Sequence, residues 1–88
     1  MSVRYEAAKH HPYRIFLSKL VGTVYVKIPY ERKLYKSGEL LLVIESLKIP
    51  NEVCMEEEGY LEDIMVNDGD FVMYDTPLLL IRPIEIKK

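Results

Sequence analysis

Lys48 is the residue whose chemistry and placement stand out together. A primary amine on a long flexible stem suits acylation, with the neutral amine as nucleophile. It lies between Leu47 and Ile49 in the run Leu40-Leu41-Leu42-Val43-Ile44-Glu45-Ser46-Leu47-Lys48-Ile49-Pro50-Asn51-Glu52-Val53. A continuous apolar segment enters and a half-buried one leaves, so the chain reverses near the lysine. Tight reversals favour residues that tolerate positive φ, with Asn-Gly and Asp-Gly preferred in two-residue hairpins. Leu47, Lys48 and Ile49 are of the wrong kind. A turn here carries roughly 1–3 kcal/mol of strain per offending residue. Strain held at a tip that displays an amine suggests that the tip is read by something else.

Other groups make weaker chemical cases. Glu56-Glu57-Glu58 resembles a metal cluster, but neighbouring strand side chains point to opposite faces, so a solvated turn is the better reading. His10-His11 has no further ligands nearby and reads as a polar tail. Cys54, the only cysteine, reads as a small strand residue rather than a redox thiol. The seven tyrosines lack the interleaved basic residues of a single-strand binding platform. Gly59 and Gly69 are turn glycines, not phosphate loops, because no helix follows them. No Ser-His-Asp set at plausible spacing supports a hydrolase.

The elements that must position Lys48 are strands. Helical periodicity is poor, with at most a turn or so over Met1 to Lys9. Short alternating or apolar runs recur at Tyr13 to Leu17, Gly22 to Ile28, Leu40 to Glu45, Glu52 to Met55, Tyr60 to Val66, Phe71 to Met73 and Leu78 to Arg82. Pro29, Ser37-Gly38, Glu58-Gly59, Asn67-Asp68-Gly69-Asp70 and Asp75-Thr76-Pro77 separate them. Seven or eight short strands indicate an all-β sandwich or barrel.

An internal repeat supports this fold class. A shift of 37 residues places Gly22 on Gly59, Val24 on Leu61, Ile28 on Met65 and Leu34 on Phe71, and Leu41 to Ile44 on Leu78 to Ile81, without a gap. Two such units can pair about a pseudo-two-fold axis, each covering the apolar face the other cannot bury alone. The segment Glu45 to Glu58 between them contains Lys48. The turns differ: the second unit has Asp68-Gly69-Asp70 where the first has Glu31-Arg32-Lys33, and Gly38 in the first corresponds to Asp75. Aspartate tolerates the left-handed region, so Asp75 is acceptable there, whereas Arg32 is less comfortable.

Composition narrows the function class. Eighty-eight residues form one domain with a small core. A net charge of −2 without a basic stripe argues against nucleic acid as a partner. The longest apolar run, Leu40 to Ile44, is too short for a bilayer, and the N-terminus does not read as a signal peptide. One thiol fits a reducing compartment, so a cytoplasmic location is expected and no membrane partner.

The motifs together resemble the biotinyl/lipoyl attachment domain family, closest to biotin carboxyl carrier domains. Gly22-Thr23-Val24, Leu41-Leu42-Val43-Ile44-Glu45-Ser46-Leu47-Lys48-Ile49, Asn51-Glu52-Val53, Gly59, Gly69-Asp70-Phe71-Val72 and Pro77-Leu78-Leu79-Leu80-Ile81 follow that family's order and spacing from Gly22 to Ile81. The chain departs from the usual pattern at Leu47 and Ile49, where methionines flank the lysine, at Pro50, and at Arg32-Lys33, where the family has its first Gly-Asp. Pro50 requires a position whose N–H would face solvent.

The resemblance implies a flattened β-barrel (barrel-sandwich hybrid) of two four-stranded halves related by a pseudo-two-fold axis. It implies covalent biotin on Lys48, with Leu47 and Ile49 as flanking recognition residues. Glu45, Ser46 and Glu52 are candidate ligase contacts, against a plain reading as solvent-facing ribbon residues. The expected protein is a non-catalytic carrier component of a biotin-dependent carboxylase, decarboxylase or transcarboxylase. Its expected partners are a biotin protein ligase and carboxylase and carboxyltransferase components. The alternatives are a lipoyl carrier modified on the same lysine and an unmodified interaction module. The expected organisation is an arm or extra edge strand over 1–19, the domain over 20–83 and a tail over 84–88.

Overall fold

The computed structural model describes residues 13–29 and 31–84, and the backbone of 6–7. The strands are β1 (Glu6–Ala7), β2 (Arg14–Leu17), β3 (Gly22–Val26), β4 (Lys33–Tyr35), β5 (Leu40–Ser46), β6 (Ile49–Cys54), β7 (Gly59–Ile64), β8 (Phe71–Val72) and β9 (Pro77–Pro83). No helix occurs among the described residues. Glu6–Ala7 is strand. The rest of the helical turn considered over Met1 to Lys9 falls outside the described residues, as does His10-His11.

Two antiparallel sheets face each other, in the orders β1-β2-β9-β7-β4 and β6-β5-β3-β8. Apart from the two-residue β1, each has four strands, as expected, and neither closes on itself. Between them lie Phe16, Val24, Leu42, Ile44, Val53, Leu61, Leu79 and Ile81, all within 1% of full burial. At roughly 1.5–3 kcal/mol for each fully buried large apolar side chain, this small layer is the main favourable term holding the sheets together.

The repeat extends further than the apolar pattern indicates. Arg14–Leu17 lies 37 residues before Asn51 to Cys54, so β2 corresponds to β6, β3 to β7, β4 to β8 and β5 to β9. Replacing each strand by its partner converts the order β2-β9-β7-β4 into β6-β5-β3-β8. Hydrogen bonds repeat too. Ser18 N–H donates to Thr76 O and Met55 N–H to Glu39 O, both at 2.9 Å. Asp75 N–H donates to Ser18 O at 2.7 Å and Gly38 N–H to Met55 O at 2.8 Å. Each sheet therefore takes two strands from each copy, and only the Leu47-Lys48 turn separates the copies.

Bulges explain why the apolar runs are continuous. Leu42 pairs with Val53 but Leu40 with Cys54, and Leu79 pairs with Phe16 but Pro77 with Leu17. Leu41 and Leu78 are the extra residues. Each turns inward beside an inward neighbour, so Leu41-Leu42 and Leu78-Leu79 are all fully buried. A further bulge at Glu62 has no counterpart in β3, which a gapless sequence shift cannot show.

Two sequence expectations are corrected. Arg32 is absent from the described residues with positive φ; Gly38, Gly69 and Asp75 occupy that region instead, with Leu47 and Lys48. Arg32 therefore avoids the left-handed region that its correspondence to Gly69 suggested. The strand expected from Glu52 begins at Ile49, directly after the turn, and runs through Pro50.

Candidate functional site

Six register pairs zip the β5–β6 ribbon, ending in Glu45 with Pro50 and Ser46 with Ile49. Two residues remain for the reversal, Leu47 with φ 53° and Lys48 with φ 63°. Positive φ at both central positions is what a type I′ hairpin turn demands. The local sequence does not favour this conformation, so it is imposed by the flanking ladder and by burial of Leu42, Ile44 and Val53 beneath it. Ile49 has no positive φ, so the strain lies on two residues rather than three.

Pro50 is accommodated by register. The pair closing a two-residue turn is hydrogen-bonded, so the next, Glu45 with Pro50, is not. β6 is also an edge strand, so the missing Pro50 N–H would have pointed to solvent.

Asn51 holds the base of the hairpin. It is buried, and its Nδ2 donates to Ile49 O at 3.0 Å and Ile44 O at 3.3 Å. A polar residue at an inward position, in register with Val53, is the sequence signal for such an anchor. On the entering side, Gly22 lies against β5. A Cβ there would fall on the Glu45 carbonyl oxygen, with Ile44 Cγ2 only 3.2 Å away. Its repeat partner Gly59, expected from the sequence to be a turn glycine, is instead the first residue of β7 and meets the same obstacle, since a Cβ at that position would lie 2.9 Å from Arg82 O. A glycine at each site lets two strands approach closely.

The result is a rigid ribbon with an exposed tip. Leu47 is 91% exposed and Ile49 61% exposed, with Lys48 exposed between them. Glu45 and Glu52 are exposed and Ser46 is half-buried. The structure thus brings Glu45, Ser46, Leu47, Lys48 and Ile49 together at one end of the β6-β5-β3-β8 sheet. An amine held there is accessible from most directions, as acylation by a separate protein requires.

The other candidates do not assemble into a site. Glu56, Glu57 and Glu58 are exposed on a bend. No group of three His, Cys, Asp or Glu among the described residues could hold a metal. Burial, then the neighbouring Glu52 charge, pushes the Cys54 thiol above its ordinary value, against the thiolate a redox role needs. A cavity of about 500 Å³ lies over β7 and β9, lined in part by Tyr13, Arg32, Glu62 and Leu80. Glu62 accepts a hydrogen bond from Arg82 Nε at 2.9 Å there, and Arg82 stacks 4.6 Å from the Tyr60 ring. No residue of the hairpin lines it.

Comparison with known proteins places this geometry in context. The family described as biotin-requiring enzyme matches residues 34–81, more than half of the chain. The biotin carboxyl carrier protein of acetyl-CoA carboxylase from Haemophilus influenzae is 32% identical over 72 residues, covering 74% of this chain and 46% of that protein. The protein of the same description from Pseudomonas aeruginosa is 37% identical over 46 residues, covering 52% of this chain and 30% of its own length. The chain thus spans less than half of either relative. Among solved structures, a single-chain, multi-domain long-chain acyl-CoA carboxylase superposes with a TM-score of 0.76 over 93% of this chain and 8% of its own, at 24% identity. That likeness is one of fold.

Proposed function

The chain belongs to the family of biotin-requiring enzymes, and from that premise we propose that it is a biotin carboxyl carrier with biotin joined covalently to Lys48. The observation that carries this reading is the lysine itself, held at the apex of a two-residue turn whose φ values neither Leu47 nor Lys48 prefers. The relatives described as biotin carboxyl carrier proteins favour biotin over lipoate.

Attachment needs little from the chain beyond display. The Lys48 Nζ lone pair bonds to the carboxyl carbon of an activated biotin. The bond from that carbon to its activating group breaks, and Nζ gives up a proton, leaving an amide. When bound, biotin supplies an acceptor for a carboxyl group, and this chain's residues only hold and move it. The β5–β6 ladder and Asn51 keep the tip rigid, so the arm begins from a fixed point. Tethering replaces a second bimolecular encounter with an intramolecular one at raised effective concentration.

The protein would then be a non-catalytic component serving a biotin-dependent carboxylase, decarboxylase or transcarboxylase. Its partners would be a biotin protein ligase and carboxylase and carboxyltransferase components. The carrier unit is proposed to span residues 20–83, flanked by an arm over 1–19 and a tail over 84–88. No helix among the described residues is long and apolar enough to cross a membrane; the cytoplasm is the proposed location.

Intact mass after co-expression with a biotin protein ligase tests the reading. One biotinyl increment that disappears in Lys48→Ala supports it. An increment seen only with a lipoate ligase, or none with either enzyme, refutes it.

A further inference from the structure

The most exposed apolar side chains are not scattered. Five large hydrophobic residues among those described are more than 60% exposed: Leu47 at 91%, Tyr74 at 69%, Phe71 at 66%, and Ile49 and Met73 at 61%. Leu47 and Ile49 flank the lysine. The other three lie on β8 and the turn after it, on the far edge of the same sheet. Register brings the two groups to one end. Phe71 pairs with Thr23, Thr23 with Glu45, and Glu45 with Pro50, so these four residues form one row across β8, β3, β5 and β6. Phe71, Glu45 and Pro50 are exposed, whereas the next row toward the hairpin tip holds buried Gly22 and Val72, so the exposed row lies on the sheet's outer face. β8 then runs toward the end that carries the Leu47-Lys48 turn. Met73 and Tyr74 follow there, in a turn closed by the 3.2 Å bond from Thr76 N–H to Met73 O.

Exposed apolar residues grouped in this way mark an interaction surface. With strands about 4.8 Å apart, β8 is only about 10 Å from β5, so one partner surface can cover both. We propose that Phe71, Met73 and Tyr74 form, with the hairpin tip, the docking face for the enzyme that acylates Lys48; this rests on the carrier reading above. The reach of the lysine selects this partner over the others. An unmodified side chain extends only a few ångströms from the backbone, so an enzyme acting on Nζ must lie against this end. An enzyme acting on the attached group works at the end of a longer arm and need not. Glu45 and Glu52 extend the same outer face without an ion pair among the described residues. The partner's complementary surface is therefore an apolar cleft with basic residues along one side.

The test is steady-state biotinylation of the purified chain by a biotin protein ligase with biotin and ATP, with carrier concentration varied. The triple variant Phe71→Ser/Met73→Ser/Tyr74→Ser removes the patch, and Leu34→Ser/Tyr60→Ser on the opposite sheet serves as control. The triple variant is expected to lose about tenfold or more in kcat/KM through a raised KM, as a handful of interface residues commonly carry most of the binding energy. It should keep kcat and its thermal midpoint, and the control should match wild type. Equal kcat/KM for the triple variant and wild type overturns the docking face while leaving biotinylation of Lys48 intact. Equal losses in both variants overturn it as well. No incorporation into wild type defeats the carrier reading and the docking face together. A wild-type dimer that the triple variant dissolves, with kcat/KM unchanged, assigns the patch to a second copy of this chain instead.

Discussion

Leu47→Asn isolates the strain at the lysine tip. Leu47 sits at φ 53°, where a residue with a Cβ loses about 1–2 kcal/mol and asparagine loses less. The side chain is 91% exposed, so its removal forfeits little of the roughly 1.5–3 kcal/mol that full burial would supply. Relief of strain therefore outweighs lost burial, and the variant should be more stable by about 1 kcal/mol. In a domain of this size that corresponds to a rise of about 4–8 °C in Tm, readable by circular dichroism during thermal unfolding. Leu47→Ala is the control, because it removes the same exposed side chain but keeps a Cβ in the left-handed region. Its Tm should stay near wild type. If Leu47→Asn melts at or below wild type, or no higher than Leu47→Ala, the turn is not strained and the reasoning from tip to recognition fails. The same variant should be a poorer ligase substrate, since it removes a flanking apolar group.

Three further outcomes follow from the packing. Gly22→Ala should destabilise more than Gly59→Ala, by several kcal/mol, because its Cβ falls on a backbone oxygen where Gly59 meets one at 2.9 Å; urea unfolding would rank the two. Tyr35→Phe should stabilise by about 1 kcal/mol at neutral pH, because the Tyr35 hydroxyl is buried without a hydrogen-bond partner among the described residues. Burial first, then the charges of Glu31 and Glu39, raise this phenol above its ordinary value of 10.0. The folded chain then binds more protons than the unfolded one above that value, so wild-type stability is kept below it and lost as pH rises through the folded value; melting curves of Tyr35→Phe should show a shallower alkaline decline. Asn51→Ala removes both bonds at the hairpin base and should cost about 2 kcal/mol in urea unfolding.

Much of this arrangement was legible in the residues. The apolar run into Glu45 and the absence of Asn or Gly at the reversal pointed to a lysine on a strained turn, and Leu47 and Lys48 do have positive φ. The 37-residue repeat anticipated paired halves because Gly22 and Gly59 perform the same task, letting β3 lie against β5 and β7 against β9. β4 was visible only through Leu34 in that repeat, since Tyr35 is its one buried residue and no alternation could develop. The first residues of β6 were missed because Pro50 reads as a break unless its edge position and register are known. The bulges at Leu41, Glu62 and Leu78 were hidden because each depends on pairing between distant strands. The apolar end face was hidden likewise, since Phe71 and Glu45 meet in one row only through Thr23 on a third strand.

If Lys48 is the attachment point, biotin ends up on its Nζ and on no other amine of the chain. Peptide mass mapping of the chain after reaction with biotin protein ligase, biotin and ATP tests it most directly. One biotinyl group is expected on the peptide containing Lys48, with Lys36 and Lys33 unmodified. A biotinyl group on another lysine, or incorporation that persists in Lys48→Ala, would contradict it.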